Sequence, residues 1–367
     1  MADVQPSVIV TGAAGNLGER LLPLLDAYRV VGIDFHPPRD LTKFAAFYEI
    51  DLGNESSCAS LIDIFRKHDA NAVVHLAFVI DPLQTGVLDP DRMWRINVAG
   101  TSRVMEAIAV VNRTGGAIRQ FVFPSSVSAY GPETPGLVNE NHPLRAHTLP
   151  YAVHKMESDL VVQGRAAALG DCSTYILRPH IFAGSSMQNY LVGALRGTPT
   201  GRGKLAERMQ RKNKRLPMLL PWGDEYPAKH FQFVHVDDVA RLIAYILKHL
   251  PAKAATCILN VAGRGEALTI ARCAEIGEAK ILHLPSRLLC KMALKAMWAL
   301  GISAVPPDAL PYIVGSYTMD TTRLKDYLGK DYESVIQYSI EEALRDSFQP
   351  ATSPAQPAAG NSMGQPA

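Results

Sequence analysis

The sequence predicts an α/β fold in which helices cover both faces of a doubly wound parallel sheet. Three observations support this prediction. Between residue 7 and about residue 178, short apolar runs alternate with longer helix-like segments. The runs VIVTG, AVVHLA and FVFPS are apolar on both faces, as strands in the interior of a parallel sheet are. A glycine-rich turn follows the first run directly.

Taken in order, the apolar runs predict five strands, at residues 7–11, 29–34, 72–77, 121–125 and 174–178. The longer segments between them predict helices, for example at residues 17–27, 55–67, 91–112 and 151–169. Strand and helix in alternation require crossover connections, which place neighbouring strands parallel.

Composition places the chain among ordinary globular proteins, since 47% of its 367 residues are hydrophobic and 20% are charged. A formal net charge of +2 produces no overall field for a polyanion, so no nucleic-acid partner is expected. Five scattered cysteines, none in a C-x-x-C pair, argue against a disulfide framework and against a metal site. They suit a reducing cytosol. Because no signal peptide or membrane span is visible, a cytoplasmic protein is expected.

The glycine-rich turn predicts a phosphate-binding loop. Gly12, Gly15 and Gly18 lie between the first strand and the first helix, with Asn16 and Leu17 at the helix start. Glycines allow the backbone to approach a pyrophosphate, and the N-terminus of the helix presents unpaired N–H groups to it. This context is typical of a Rossmann-type dinucleotide domain.

An acidic residue at the end of the second strand predicts which dinucleotide binds. Asp34 follows the first glycine of the loop by about 20 residues, as the dinucleotide pattern requires. Its carboxylate would accept hydrogen bonds from the adenosine ribose and would repel the additional phosphate of NADP. NAD is therefore the expected cofactor, although Arg39 lies close enough in sequence to approach a phosphate.

A tyrosine and a lysine one helical turn apart form the predicted catalytic pair. Tyr151 and Lys155 share a helix face, and a nearby ammonium would lower the pKa of the phenol. The tyrosine could then exchange a proton with a hydroxyl or carbonyl group. Ser125 and Ser126 end the fourth predicted strand, at the sheet edge where ligands bind, and a serine there could hold the substrate oxygen.

These residues together resemble the extended short-chain dehydrogenases/reductases, also called the NAD-dependent epimerase/dehydratase superfamily. Members include nucleotide-sugar epimerases, hydroxysteroid dehydrogenases and many reductases. The matching motifs keep the family order over most of residues 7 to 262: TGAAGNLG, the acid at position 34, DL at 51–52, HLA at 75–77, NVAGT at 97–101, SSVSAYG, YAVHK, LRP at 177–179 and FVHVDDVA at 233–240.

The resemblance implies roles for single residues. Tyr151 would be the general acid/base, Lys155 would tune it and hold the nicotinamide ribose, and Ser126 would be the catalytic serine. The implied cofactor contacts beyond the glycine loop are Asp51 and Leu52 at the adenine, Ala77 along the cofactor path and Asn97 supporting the active-site backbone. Family members often form homodimers through helices corresponding to residues 91–112 and 151–169.

Departures from the family pattern bear on the reaction. Related dehydratases carry an acidic pair where this chain has Val127 and Ser128, so dehydration is not expected. Related epimerases hold the sugar-nucleotide diphosphate with an asparagine and an arginine, and here those positions are Ile181 and Phe231. His180 is a candidate for the substrate pocket, with a purely structural histidine as the alternative.

The preferred hypothesis is therefore an NAD-dependent oxidoreductase that transfers hydride between nicotinamide and a secondary alcohol or its ketone. An apolar or carrier-linked alcohol is expected rather than a free sugar. A nucleotide-sugar 4-epimerase with tightly bound NAD is the alternative, and a non-catalytic NAD-sensing protein is a third possibility. The complete Ser126, Tyr151 and Lys155 set argues against the sensor, which has no use for it.

The rhythm of strands and helices breaks after residue 179, which predicts a smaller C-terminal domain interwoven with the first. We expect residues 1–180 and about 231–262 to form the NAD-binding domain. Residues of about 181–230 and 263–349 would form the substrate domain. The stretch 350–367 would be a disordered tail, because it has nothing to bury.

Two segments of the C-terminal half suggest further contacts. The basic stretch 202–215 is expected to be a solvated loop. Alternatively, it could bind an anionic group or contact an acidic membrane surface. The stretch 286–300 predicts an amphipathic helix with a basic stripe. Such a helix could pack on its own domain, cover a pocket or make peripheral contact with a membrane.

Overall fold

The computed structural model describes residues 5–80, 89–187 and 189–350. Its strands are β1 (Ser7–Thr11), β2 (Arg29–Asp34), β3 (Ala46–Glu49), β4 (Ala70–His75), β5 (Gln120–Pro124), β6 (Ser173–Pro179), β7 (Ile181–Ala183), β8 (Met218–Pro221), β9 (His230–Phe231), β10 (Phe233–His235), β11 (Thr256–Val261), β12 (Leu268–Thr269) and β13 (Ile281–Leu284).

The α-helices of the described residues are α1 (Asn16–Leu21), α2 (Ser57–Lys67), α3 (Pro90–Trp94), α4 (Gly100–Arg113), α5 (Pro150–Arg165), α6 (Tyr190–Arg196), α7 (Lys204–Arg211), α8 (Val236–Lys248), α9 (Ile270–Ile276), α10 (Arg287–Ala299), α11 (Leu310–Val314), α12 (Thr322–Leu328), α13 (Tyr332–Val335) and α14 (Ile340–Asp346). A π-helical turn, Arg95–Ala99, joins α3 to α4.

Seven strands form the central sheet, in the order β11-β6-β5-β4-β1-β2-β3. All of its pairings are parallel. The predicted Rossmann-type α/β class is confirmed. Of the predicted strands, β1 and β2 have the expected bounds, and the other three differ by one or two residues at their ends. The sequence analysis missed β3, a four-residue strand at the edge of the sheet whose side chains are only partly buried.

Neighbouring residues of β1 show how the sheet is covered on both faces. Val8 and Val10 belong to a buried cluster that includes residues of α1 and α8. Ile9, which points to the opposite face, belongs to a second cluster with residues of α2, α4 and α5. Successive side chains of a strand alternate between faces, so an entirely apolar strand supplies both cores.

A third buried cluster lies beyond the sheet and gathers residues of the C-terminal half around Tyr130, Phe231 and Tyr317. Three small two-stranded sheets belong to this region, pairing β7 with β10, β8 with β13 and β9 with β12. In the predicted first-domain segment 231–262, β11 joins the central sheet and α8 packs against it. In contrast, β10 pairs with β7 outside the sheet. The division into two domains stays a prediction.

The basic stretch 202–215 differs from the expected loop. Helix α7, eight residues long, occupies most of it. Its sequence, KLAERMQR, consists of residues with good helix propensity. Glu207 and Arg211 also form an ion pair one turn apart, at 3.7 Å. These local preferences favour a helix where charge density suggested a loop.

No helix within the described ranges is long and apolar enough to cross a membrane. The tail predicted to be disordered lies outside the described residues from position 351 onward.

Candidate active site

The carboxyl ends of β1, β4 and β5 meet at one edge of the central sheet. Gly12 follows β1, Ala77 follows β4, and Ser125 and Ser126 follow β5. Parallel strands all end at the same edge, which is why ligands of open α/β sheets bind there. The residues predicted for cofactor and catalysis are brought together at this edge.

The glycine loop has the form that a pyrophosphate needs. Gly12 has φ +69°, and a Cβ atom there would lie 2.4 Å from the backbone nitrogen of Ala77. A Cβ atom on Gly18 would lie 2.5 Å from the carbonyl oxygen of Ala13. Gly15 caps α1 without a side-chain hydrogen bond, so the first N–H groups of the helix remain available. The loop therefore fits the phosphates of a dinucleotide.

The residues at the start of α1 connect this loop to the C-terminal half. The side chain of Asn16 donates to the carbonyl oxygen of Ser186 at 3.1 Å and accepts from its hydroxyl at 3.3 Å. Leu17, the next residue, packs partly buried against the core formed with α1 and α8. The phosphate loop is thus held between the sheet and the segment that follows β7.

The acid at the end of β2 supports the loop directly. One carboxylate oxygen of Asp34 accepts from the backbone N–H of Ala14 at 2.9 Å, and the other accepts from that of Phe35 at 2.6 Å. The side chain is half-buried, whereas Arg39 is exposed. Asp34 therefore lies beside the loop, where a ribose would have to pass.

Asp51 and Leu52 lie next to the following connection. Asp51 accepts from the backbone N–H of Gly53 at 2.8 Å and pairs with Arg92 at 3.4 Å. Leu52 is 4% exposed and belongs to the core beneath the sheet. The Arg92 guanidinium also lies 5.6 Å from the centre of the Phe35 ring. These side chains border the space that the family pattern assigns to the adenine.

A buried histidine fixes the ends of β1 and β4. His75 Nδ1 lies 2.7 Å from the Thr11 hydroxyl, and its Nε2 lies 3.0 Å from the Thr101 hydroxyl. The Thr11 hydroxyl also accepts from the backbone N–H of Ala77 at 3.3 Å. Burial lowers the pKa of His75 to about 3, so its ring is neutral at ordinary pH. The ring holds Ala77 in place beside the glycine loop.

Asn97 holds the backbone that follows β4. Its side chain accepts from the N–H of Val79 at 2.7 Å and donates to the carbonyl oxygen of the same residue at 3.0 Å. It lies in the π-helical turn, a feature often found at functional sites. Its own carbonyl oxygen accepts from the hydroxyls of Thr101 and Ser158.

Tyr151 and Ser126 face each other across the site. A hydrogen bond between their side chains lowers the pKa of Tyr151, but burial raises it by more, so the net shift is upward. The Ser126 hydroxyl also accepts from Ser128, from the backbone N–H at 3.2 Å and from the hydroxyl at 2.9 Å. The expected lowering of the tyrosine pKa by the lysine is therefore not what the structure shows.

The reason lies in what Lys155 contacts. Its ammonium donates to the carbonyl oxygen of Pro124 at 2.7 Å and lies 3.6 Å from the centre of the Phe78 ring. Burial lowers the pKa of Lys155 to about 7, and Asp159 opposes that shift. The pKa of Tyr151 is therefore governed by its burial and by the Ser126 hydroxyl, while the Lys155 ammonium is directed at the end of β5.

The sequence analysis missed Phe78, Ser128 and Tyr317 as site residues. Phe78 contacts Lys155 and packs edge-to-face on Tyr151, with ring centres 6.0 Å apart. Its position directly after the HLA motif could have indicated it. The sequence analysis mentioned Ser128 only because related dehydratases carry an acidic residue at that position. Tyr317 lies far along the chain, and no local pattern marks it.

Ser125 and His180, the two candidates for the substrate pocket, have different surroundings. Ser125 is 2% exposed, and its hydroxyl has no hydrogen-bond partner among the described residues. His180 donates to the carbonyl oxygen of Tyr317 at 2.8 Å, accepts from the N–H of Ile181 at 2.9 Å and stacks on the Tyr317 ring. Because both ring nitrogens are engaged, His180 presents a fixed ring to the site rather than a free polar group.

A cavity of about 470 Å³ opens above Ser126 and Tyr151. Its wall is mostly apolar and includes Leu149, Ile181, Phe182, Leu191, Val305 and Tyr312. Of the described residues that line it, none is Asp or Glu. Arg202 and Gln210 add polar groups to the lining.

Comparison with known proteins identifies the family. The chain matches the family described as NAD dependent epimerase/dehydratase over residues 8–262, more than half of its length. This protein belongs to the NAD-dependent epimerase/dehydratase family. The family resemblance inferred from the motifs is thereby confirmed, as are an enzyme of the dehydrogenase/epimerase type and NAD as the cofactor.

Curated relatives of this family member include UDP-glucose 4-epimerases. The enzyme of Erwinia amylovora is 29% identical over 262 residues, which cover 67% of this chain and 74% of the relative. The Schizosaccharomyces pombe enzyme is 27% identical over 284 residues, which cover 72% of this chain and 77% of the relative. Both alignments cover about two thirds or more of this chain.

Solved structures of the family share the fold. The dTDP-glucose 4,6-dehydratase of Streptomyces venezuelae has a TM-score of 0.64 at 20% identity, covering 93% of this chain and 95% of its own. A UDP-glucose 4-epimerase of Thermotoga maritima has a TM-score of 0.62 at 20% identity, covering 93% of this chain and 97% of its own. At this identity the likeness supports the fold.

Proposed function

We propose that the protein is an NAD-dependent dehydrogenase or reductase that interconverts an apolar secondary alcohol and its ketone. The observation that supports this most is the cavity over Tyr151 and Ser126, whose wall is mostly apolar. Apolar walls with a few placed polar groups suit a lipophilic substrate with one reacting oxygen.

The cofactor would lie along the sheet edge. The N-terminus of α1 and the glycine loop would hold the pyrophosphate, and Asp34 would accept from the adenosine ribose. Asp51 and Leu52 would border the adenine, and Ala77 and Asn97 would line and support the path toward Tyr151. Bound NAD supplies the acceptor or donor of a hydride.

Tyr151 would move the proton. During oxidation, its phenolate takes the proton of the substrate hydroxyl, and during reduction its phenol returns it. Ser126, within hydrogen-bonding reach of Tyr151, would hold the same oxygen, while Ser128 fixes the Ser126 hydroxyl. Lys155 would hold the nicotinamide ribose and, when charged, stabilise the phenolate.

Two features count against substrates with a leaving hydroxyl or a diphosphate. The described cavity lining has no carboxyl group that could protonate a leaving hydroxyl. The two positions at which related epimerases carry diphosphate ligands are Ile181, half-buried in the wall, and Phe231, fully buried in the core. An apolar alcohol fits these surfaces better.

A nucleotide-sugar 4-epimerase is the second candidate, and the curated relatives favour it. The two relatives described above are named UDP-glucose 4-epimerase. Arg202 lines the cavity and could bind a phosphate in place of the missing ligands. In that reaction the hydride returns to the same substrate, so NAD stays bound.

The deciding experiment begins with the purified protein. Any nicotinamide released on denaturation is identified, and NADH formation is then followed with a panel of lipophilic secondary alcohols. UDP-glucose is offered separately, and UDP-galactose is measured. We expect NADH formation from an apolar alcohol. In Tyr151→Phe its rate should fall by a factor on the order of 10² or more, while NAD binding stays intact.

The outcomes separate the candidates. Conversion of UDP-glucose to UDP-galactose with stoichiometric bound NAD, and no net NADH from alcohols, would replace our proposal by the epimerase. Tight NAD binding without turnover of either substrate class would favour the cofactor sensor instead. Tyr245→Phe, altered far from the site, serves as the matched control and should keep full activity.

The oligomeric state and the cellular location of the protein also stay proposals. We propose a homodimer formed through α4 and α5, where Leu160 of α5 is 51% exposed and free to pack against a second copy. We also propose a cytoplasmic location, since all five cysteines are free thiols, as is usual in a reducing compartment.

A further inference from the structure

Helix α10 leaves much of its apolar surface uncovered. Only Cys290 and Leu294 of this helix are buried. By contrast, Leu288 is 67% exposed and Met292 is 58% exposed. Nine of the fifteen large hydrophobic side chains exposed in the described residues lie between positions 205 and 300: Leu205, Trp222, Leu250, Leu282, Leu288, Leu289, Met292, Trp298 and Leu300. Much of the apolar face predicted from sequence is therefore exposed, although Ala293 and Met297 pack against the core.

The helical period divides α10 into three stripes. At about 3.6 residues per turn, Cys290 and Leu294 form the stripe that faces the protein. Leu289, Met292 and Ala296 lie on a second, exposed apolar stripe. The basic residues form the third, in which Arg287 pairs with Glu133, Lys291 pairs with Asp308, and Lys295 has no carboxylate within 4 Å among the described residues.

The segment around α7 provides a concentrated positive charge. Residues 202–215 contain seven basic residues and one glutamate. Arg211 pairs with Glu207 and Arg215 with Glu278. The other five are exposed and have no carboxylate within 4 Å in the described part of the chain: Arg202, Lys204, Arg208, Lys212 and Lys214. The charge is therefore largely unneutralised.

The two helices meet at a close backbone junction. The N–H of Gly203, directly before α7, donates to the carbonyl oxygen of Gly301 at 2.9 Å. The N–H of Gly201 donates to the carbonyl oxygen of Ile302 at 3.0 Å. A Cβ atom on Gly201 would lie 2.0 Å from the Gly301 oxygen, so only glycine allows this approach. The basic helix thus begins where the apolar helix ends.

We infer that α10 and α7 together form a docking surface for an anionic lipid bilayer. Exposed leucines and methionine would enter the boundary between headgroups and acyl chains, as amphipathic helices do. Trp222 and Trp298, both exposed, are residues favoured at that depth. The unpaired arginines and lysines match the negative headgroups. A protein partner would need acidic and apolar surface in the same arrangement, whereas an anionic bilayer always presents both.

The substrate cavity lies beside this surface. Arg202, which precedes α7, and Ala304 and Val305, which follow α10, line its wall. A lipophilic alcohol dissolved in the bilayer would then have a short path to Tyr151. This last link rests on the proposed function, but the docking surface itself does not.

Vesicle binding tests the inference without measuring turnover. The full-length protein is sedimented with vesicles of phosphatidylcholine alone and with vesicles in which one third of the lipid is phosphatidylglycerol. We expect binding to the anionic vesicles that weakens as salt is added. Met292→Glu and the double change Lys204→Glu/Arg208→Glu should each weaken binding by at least about tenfold.

Leu250→Glu is the matched control, because Leu250 is similarly exposed, at 55%, but lies at the end of α8. It should bind as the unchanged protein does, and thermal melts should show that all variants are folded. Absence of binding to anionic vesicles would overturn the inference. Equal binding by Met292→Glu and the unchanged protein would also overturn it. The same holds if vesicles are not bound and the unchanged protein instead self-associates in a way that Met292→Glu abolishes.

Discussion

Lys155 is subject to two opposing influences. Its burial removes water from the ammonium and lowers the pKa to about 7, while the nearby Asp159 carboxylate raises it. The hydrogen bond to the Pro124 carbonyl oxygen and the Phe78 ring hold the side chain in place. A titration near neutral pH at this position would link both the stability and the chemistry of the site to pH.

The stability of the protein should depend on pH through Lys155. Between a folded pKa of about 7 and the ordinary value of 10.5, the unfolded chain binds more protons than the folded chain. The contribution of this lysine to stability therefore rises with pH in that window, by up to about 1.4 kcal/mol per pH unit.

Urea unfolding of the cofactor-free protein at pH 7 and pH 9 measures this effect, with Lys155→Met as the reference. The free energy of unfolding should rise more between these pH values in the unchanged protein than in Lys155→Met. An equal pH dependence of both proteins would mean that the lysine stays charged when folded.

Asp34 should determine the choice between NAD and NADP. Its carboxylate lies beside the glycine loop, where it would repel the additional phosphate of NADP. In Asp34→Ala, the ratio of the NADP and NAD dissociation constants should fall by at least about tenfold, since a like-charge repulsion of order 1.4 kcal/mol or more is removed. Cofactor titration followed by fluorescence measures both constants.

Asp40→Ala provides the control for that titration. Asp40 is exposed, and its carboxylate bonds to Thr42 of the same turn rather than to the glycine loop. The ratio should stay unchanged in this variant. If Asp34→Ala also left it unchanged, another group would have to select the cofactor.

At the scale of single elements, the turn between β1 and α1 depends on glycine for two separate reasons. Gly12 has a positive φ, and the backbone of Ala77 occupies the space that a Cβ atom would take. Gly164, within the exposed part of α5, has no atom within 4 Å of that position. The same substitution should therefore have opposite effects at the two sites.

Gly12→Ala should destabilise the protein by about 2 kcal/mol or more and abolish NAD binding, because the loop must move. Gly164→Ala should stabilise it by about 0.5–1 kcal/mol, because alanine is the better helix former. Thermal unfolding and NAD titration of both variants measure these effects. A Gly12→Ala protein that binds NAD normally would show that the observed loop geometry is not required.

At the scale of the whole molecule, a buried ion pair ties the central sheet to the helix that carries Tyr151. Arg178 of β6 binds both carboxylate oxygens of Asp159 of α5, at 2.9 and 3.0 Å. It also donates to the Tyr130 hydroxyl and to the carbonyl oxygen of Glu140. The two charged side chains are at most 1% exposed. This network joins the sheet, the helix that carries Tyr151 and the segment that follows β5 at one point.

Arg178→Met should cost about 3–5 kcal/mol in the free energy of unfolding, because it leaves a buried carboxylate unpaired. The double change Arg178→Met/Asp159→Leu should recover part of that loss, since no isolated charge remains. Denaturant unfolding of both variants makes the comparison. A double variant less stable than Arg178→Met would show that hydrogen bonds to Tyr130 and Glu140 dominate the network.

Local patterns of sequence determined the sheet and the cofactor loop. Apolar runs indicated β1 and β2 with their observed bounds, and the glycines with Asp34 indicated the loop. These features depend on neighbours within about 20 residues, so turn chemistry and hydrophobic period reveal them. The short, partly buried edge strand β3 lacked a comparable signal, and in the basic stretch the density of charge was interpreted as a loop despite good local helix propensity.

Only the tertiary structure decided what those elements contact. The sequence could not show that Lys155 would meet Phe78 and the end of β5, or that His180 would stack on Tyr317. Nor could it show that α10 would bury Cys290 and Leu294 while exposing Met292. Such contacts join residues far apart in the chain. The hydrophobic pattern of a helix states that an apolar face exists, and the packing of the whole molecule decides whether that face is covered.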